Sequence, residues 1–175
     1  MAKRHRQMNT NAGFSLIELI VAVVIMAVLA GSSILGISQI LRTNVTSCAE
    51  KIVAAFDQAR YENLYLEGAV TLQLIHEDGR YYAVVLLKKK TGETTVTEER
   101  SREIVGDGKV EIYATTAGGT NVNVAVQPVV IAFKKSSGAL EAADEIYKSI
   151  LVENASKRAE ITLVEHTGRC FLDIE

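Results

Sequence analysis

The chain has 175 residues, 48% of them hydrophobic, with 19 Lys and Arg against 21 Asp and Glu. A formal net charge of −2 argues against a strongly basic surface for nucleic acid. Length leaves room for one core beyond the hydrophobic amino-terminal stretch but not comfortably for two, and no internal repeat, low-complexity tract or long linker divides the chain.

The first 13 residues carry Lys3, Arg4, His5 and Arg6 and no acid. Basic residues flanking a first membrane helix hold that flank in the cytoplasm, so the remaining chain is expected on the other side. From Leu19 to Leu41 there are 23 residues without a charge, and about 20 apolar residues suffice to cross the hydrocarbon core as a helix. Glu18 stands at the start of this run. A carboxylate costs about 2.5 to 3.5 kcal/mol at the bilayer centre and less toward the interface, so it calls for a partner charge, here sought in another subunit. A secretory signal ends its apolar region at a small-residue cleavage site and is lost whole, whereas here the small residue, Gly13, precedes the apolar run. Cleavage after Gly13 would keep the helix and make Phe14 the amino terminus, about one helical turn from Glu18.

The basic leader, Gly13, Phe14, Glu18 and the uncharged helix together resemble the prepilin signal of type IV pilins and of the pseudopilins of type II secretion and competence systems. The resemblance implies that a prepilin peptidase cuts after Gly13, that Phe14 is N-methylated, and that Glu18 neutralises the terminal amine of a neighbouring subunit during filament assembly. Many major pilins have a proline kink in this helix; the corresponding stretch here reads Ser32-Ser33-Ile34-Leu35-Gly36, leaving Gly31 and Gly36 as places for a local bend. Without the leader, 16 basic and 21 acidic residues remain, a net charge of −5.

Beyond the apolar run, Leu41, Val45, Cys48, Ile52, Phe56 and Ala59 recur at spacings of three and four, while Arg42, Asn44, Glu50, Lys51, Asp57 and Arg60 fall largely off that stripe. The spacing predicts that the helix continues to about Leu66, roughly 80 Å in all, with its second half covering a sheet. After Gly68 the period becomes two and β-branched residues take over. Val70, Leu72 and Leu74 form a strand, Asp78-Gly79 a hairpin turn, and Tyr81 to Leu87 the return strand. Lys88 to Gly92 reads as a charged loop, and weaker strands follow at Thr94 to Glu98 and Val110 to Ala114, then the glycine loop Ala117-Gly118-Gly119. Val122, Val124 and Val126 share one face, whereas Val129, Ile131 and Phe133 are in the opposite phase, so Pro128 marks a bulge or break. In the stretch 139–152, helix formers at Ala139 to Ala143 compete with a strand pattern at Ile146 to Val152, and a short turn followed by a strand is preferred. Ile161 to Val164, the turn His166-Thr167-Gly168 and Arg169 to Ile174 close the chain as a hairpin.

Within this domain, Phe56-Asp57-Gln58-Ala59-Arg60, then Ile131-Ala132-Phe133 with Gly138, and finally Ile161-Thr162-Leu163 with Thr167-Gly168-Arg169 resemble the GspH/FimT group of minor pilins and pseudopilins. Some FimT-like proteins are thought to bind DNA through a terminal Gly-Arg motif followed by a further arginine. Gly168-Arg169 is present here, but Cys170, Phe171 and Leu172 follow and the sequence runs on to Asp173, Ile174 and Glu175. Those acids would repel phosphate, so a turn with one solvated arginine is the preferred reading of Arg169. Lys88-Lys89-Lys90 and Lys134-Lys135 read as solvated hairpin tips.

Cys48 lies on the apolar stripe, and Cys170 alternates with Leu172 and Ile174 on the expected inner face of the last strand. A disulfide between Cys48 and Cys170, contributing about 2 to 4 kcal/mol if unstrained, and two buried free thiols both fit that placement. His5, His76 and His166 show no metal-ligand spacing, Asp78-Gly79 and Asp107-Gly108 read as turns, and no phosphate loop or nucleophile elbow occurs. No enzyme activity, metal or cofactor is expected.

The fold expected is α+β: a long amino-terminal helix, membrane-spanning in its first half and amphipathic in its second, packed on an antiparallel sheet domain. The parts are a leader at 1–13, a membrane and filament-core helix at 14–41, and an extracytoplasmic domain at 42–175. The function implied is a minor pilin or pseudopilin, anchored by a single pass in the inner membrane with its amino terminus cytoplasmic before cleavage. It would then be displayed in a cell-surface or periplasmic filament. The expected partners are the prepilin peptidase, other pilin subunits and the membrane. A major structural pilin and a DNA-capturing tip subunit are the alternatives.

Overall fold

The change of period near residue 68 is a change of secondary structure. The structure, a computed structural model, describes residues 16–92 and 94–175, and within the helix the side chains of 16–21, 23–26 and 44–65. Helix α1 runs Leu16–Tyr65, 50 residues. The chain divides into two compact units, residues 1–37 and 38–175. Among the described residues no helix is long and apolar enough to cross a membrane, and most side chains of the expected span, 27–41, lie outside them.

Ten strands follow α1: β1 Ala69–Glu77, β2 Arg80–Thr91, β3 Thr94–Asp107, β4 Glu111–Thr116, β5 Asn121–Asn123, β6 Val129–Phe133, β7 Leu140–Glu141, β8 Tyr147–Glu153, β9 Arg158–Val164 and β10 Arg169–Ile174. They form two antiparallel sheets, a division the sequence did not show, the first ordered β3-β2-β1-β6-β7 and the second β10-β9-β8-β4-β5. Pro128 stands where the chain leaves one sheet for the other, between β5 and β6, as suits a residue that cannot donate to a ladder. The phase break there has a local cause. Asn123 accepts the amide of Ala125 at 2.8 Å with its side chain, and its carbonyl accepts the amides of Val126 and Gln127, both at 3.0 Å. Val124 stays buried in the core, but the turn throws Val126 out to 85% exposure, off the face that alternation assigned it.

The hairpin Asp78-Gly79 is as read: φ is 49° and 73°, with Glu77 opposite Arg80, the pair of positive φ values of a two-residue turn. The lysine run is not a loop. β2 continues through it to Thr91, and Lys88, Lys89 and Lys90 pair with Thr97, Val96 and Thr95. β3 correspondingly reaches Asp107 and not Glu98; it is an exposed edge strand whose charges mask its strand character in the sequence but suit an edge. The stretch 139–152 becomes the two-residue β7 and the strand β8, because Leu140 is drawn into pairing with Phe133.

One contiguous core joins the elements of residues 38–175. Val45, Cys48, Ile52, Phe56 and Ala59 of α1 are buried in one cluster with Leu72 and Ile131 of the first sheet and Ile112, Ile150 and Ile161 of the second. The Phe56 ring meets Phe133 edge-on at 5.1 Å. The predicted stripe is therefore the buried face from Val45 on; Leu41 lies outside the described side chains. Where α1 ends, buried Asn63 donates to the Phe133 carbonyl at 3.0 Å and accepts the Val70 amide at 2.9 Å, joining helix, β1 and β6. Lys135 donates to the carbonyls of Asn63 and Leu66. It sits exposed in the β6–β7 turn, as its place in a lysine pair implies, and from there also caps the last helical turn.

Candidate functional site

The amino-terminal unit builds its chemistry from one acid in an apolar helix. Glu18 lies in the first turn of α1, where a carboxylate complements the positive end of the helix dipole. Around it every described side chain from 16 to 26 is exposed, with Leu16 at 76%, Ile17 at 64% and Met26 at 67%. A helix apolar on all sides is buried in its working state, so this surface is made to be covered. Gly13 and Phe14, the expected cleavage and methylation residues, lie outside the described residues.

The two cysteines are free. Cys48 is buried beside Gly106, whose added Cβ would lie 3.2 Å from the Cys48 sulfur. Burial pushes its thiol from the ordinary 9.0 up to about 12, against the pull of Lys51 and with a small push from Asp107. Cys170 is half-buried and lies near Asp57 and Arg60; burial, with Asp57, raises it to about 11. Nine helical residues separate Cys48 from Asp57, about 13 Å of axial rise, whereas a disulfide needs Cα atoms about 4.4 to 6.8 Å apart. The two side chains face the core as expected but at different levels of α1, and the bonded alternative falls. Raised thiol values also mean neither cysteine is poised as a nucleophile.

Residues that stood far apart in the sequence meet at a joint between the sheets. Gly138, with φ 69°, lies against Arg60, whose Nε would be 3.0 Å from an added Cβ. Gly168, with φ 57°, is pressed so closely on the Gly138 carbonyl that a side chain there would collide with it. The Leu140 amide donates to the Glu165 carbonyl at 2.8 Å beside them. Arg60, Gly138 and Gly168 are thus a packing joint, and Gly168 is held by close backbone approach. Arg169, at the start of β10, is exposed and shares its strand face with Phe171 and Asp173.

Among the described residues no group of three or more His, Cys, Asp and Glu is placed to hold a metal ion. At the pole where α1 meets β3, a cleft of about 240 Å³ is lined by Asn44, Ser47, Lys51, Arg80 and Asp107. Lys51 is engaged there with the Ile104 carbonyl at 2.9 Å and Glu103 at 3.7 Å. Asn63 and Lys135 are the polar residues that sequence reasoning missed; nothing in their neighbourhood along the chain distinguishes them from surface residues.

Comparison with curated proteins and with solved structures finds no match. Residues 8–34 match the family described as the prokaryotic N-terminal methylation motif. That segment contains Gly13, Phe14 and Glu18 and ends inside the uncharged run. The chain thus carries the amino-terminal signature of type IV pilins and pseudopilins, the substrates of prepilin peptidase.

Proposed function

We propose that this protein is a processed, membrane-inserted subunit of a type IV filament machine, acting as a minor pilin or pseudopilin through binding and assembly and not through catalysis. The observation that carries the reading is Glu18 set in the first turn of an all-round apolar helix within the methylation motif. The uncharged run Leu19 to Leu41 anchors the precursor by a single pass, with the basic leader in the cytoplasm. After cleavage, Glu18 pairs with the terminal amine of a neighbouring subunit while the apolar surface of α1 exchanges lipid for other helices. The resemblance of Arg60, Gly138 and Gly168-Arg169 to the GspH/FimT pattern supports a minor role; of these residues Arg60, Gly138 and Gly168 meet in one joint. DNA capture through Arg169 is disfavoured because Asp173 shares its strand face.

The test is mass spectrometry of sheared filaments against the membrane fraction. A terminus at methylated Phe14 in trace amount is the expected result; the same terminus at dominant abundance makes this the major pilin. A chain that keeps Met1 to Gly13 and stays in the membrane rejects the filament reading. Glu18→Ala is expected to leave cleavage intact and remove the protein from filaments, and normal incorporation would sink the Glu18 mechanism.

A further inference from the structure

The second sheet buries one face and leaves the other uncovered. Ile112, Ile150, Val152, Ala159 and Ile161 turn into the core, so alternation puts the acids Glu111, Glu153, Glu160 and Asp173 on the opposite face with Arg158 and, at the far end of β10, Arg169. Glu175 extends it, its amide bonded to the Arg158 carbonyl at 2.9 Å. Two shallow hollows on this face share Arg158 and Glu160. Of the acids, Glu153 lies 3.7 Å from Arg158; among the described residues Glu160, Asp173 and Glu175 enter no ion pair. Two like-charged pairs stand directly opposite each other across neighbouring strands, Glu160 with Asp173 and Glu111 with Glu153. Like charges so placed are destabilising, and a domain that keeps two such pairs on an open sheet face is arranged for a cationic partner.

The same chain presents such a partner. Lys88 is the last residue of β2 held by β1, opposite Ala69. Lys89, Lys90 and Thr91 are paired only with β3, so the β2–β3 hairpin projects about 10 Å beyond the sheet. Every described residue from Lys88 to Arg100 is exposed. Lys89 lies 3.3 Å from Glu67, while among the described residues Lys88 and Lys90 enter no ion pair. An ordered hairpin with neither face packed, and with cations at its end, is shaped to insert elsewhere.

We propose that the lysine hairpin of one copy docks on the acidic outer face of the second sheet of the next copy. The two surfaces differ, so the contact is heterologous and joins copies head to tail. The proposal rests on the filament reading and adds that copies of this chain touch one another, as a short run of neighbours within a filament of which they are a minor part.

The experiment mixes full-length protein of natural isotope content with fully ¹⁵N-labelled protein, in membranes and in sheared filaments, and treats it with a zero-length carbodiimide that joins lysine to carboxylate. Mixed-isotope peptides linking Lys88 or Lys90 to Glu160, Asp173 or Glu175 are expected. Lys88→Glu with Lys90→Glu removes the reacting amines and so these peptides; mixing that variant with Glu160→Lys/Asp173→Lys protein is expected to restore mixed-isotope links between the same positions, with amine and carboxylate exchanged. Links within single chains only, links to a different protein only, or no restored link between the two charge-reversed proteins would overturn the proposal. The same spectra read the amino terminus: mixed links in an uncleaved chain would reject the filament reading and retain the contact.

Discussion

Asn63 and Glu18 are both polar residues in apolar company, yet only one of them is visible from the sequence. A carboxylate beside 23 uncharged residues declares itself. An asparagine near a helix end does not, and its importance arises from Phe133 and Val70, 70 and seven residues away. Asn63→Leu strands a buried carbonyl and a buried amide, so a loss of about 2 to 3 kcal/mol is expected in urea denaturation. Cys48 gives a pH dependence whose sign follows from its burial. Unfolded, the thiol ionises near 9.0; folded, it holds its proton to about 12. Between these values the folded state binds more protons, so stability falls as pH rises, while below pH 9 the contribution is fully present. Denaturation of wild type and Cys48→Ala between pH 8 and 11 is expected to show a shallower decline in the variant. The inward direction of Cys48 and Cys170 was legible from their alternation with apolar neighbours, but their separation was not, because periodicity carries direction and no distance.

Elements with a strong local signal were read nearly to the residue: the end of α1, the Asp78-Gly79 hairpin and the closing β9–β10 pair. Those decided by pairing were not. Three consecutive lysines have poor strand propensity, but β3 supplies their ladder partners and the backbone extends in spite of them. Leu140 sits among helix formers and is nonetheless paired to Phe133. The joint between the sheets is a contact between the β6–β7 and β9–β10 turns, and its glycines allow it. Gly168→Ala adds a side chain against the Gly138 carbonyl at a positive φ. A loss of about 2 to 3 kcal/mol is expected by thermal denaturation, read as a lower melting temperature with leader cleavage unchanged.

Residues 38–175 form one compact unit with a single core. A chain beginning at Ser38 is therefore expected to unfold in one cooperative transition, with fluorescence of Tyr81 and Tyr147 and far-ultraviolet dichroism changing together; separated transitions would mean that the two sheets are independent. The sequence by itself determined the signal, the acid, the apolar run, the helix and its buried stripe, and the alternation of most strands. Each of these is a local property, carried by residue type and spacing over a few turns or one hairpin. Only the tertiary structure decided that there are two sheets, that Pro128 stands between them, that the cysteines are apart, and that a lysine hairpin and an acidic sheet face belong to one domain. Those facts depend on which distant strands share hydrogen bonds, and the free energy that selects among pairings is the burial of the whole core, to which no single segment holds the key.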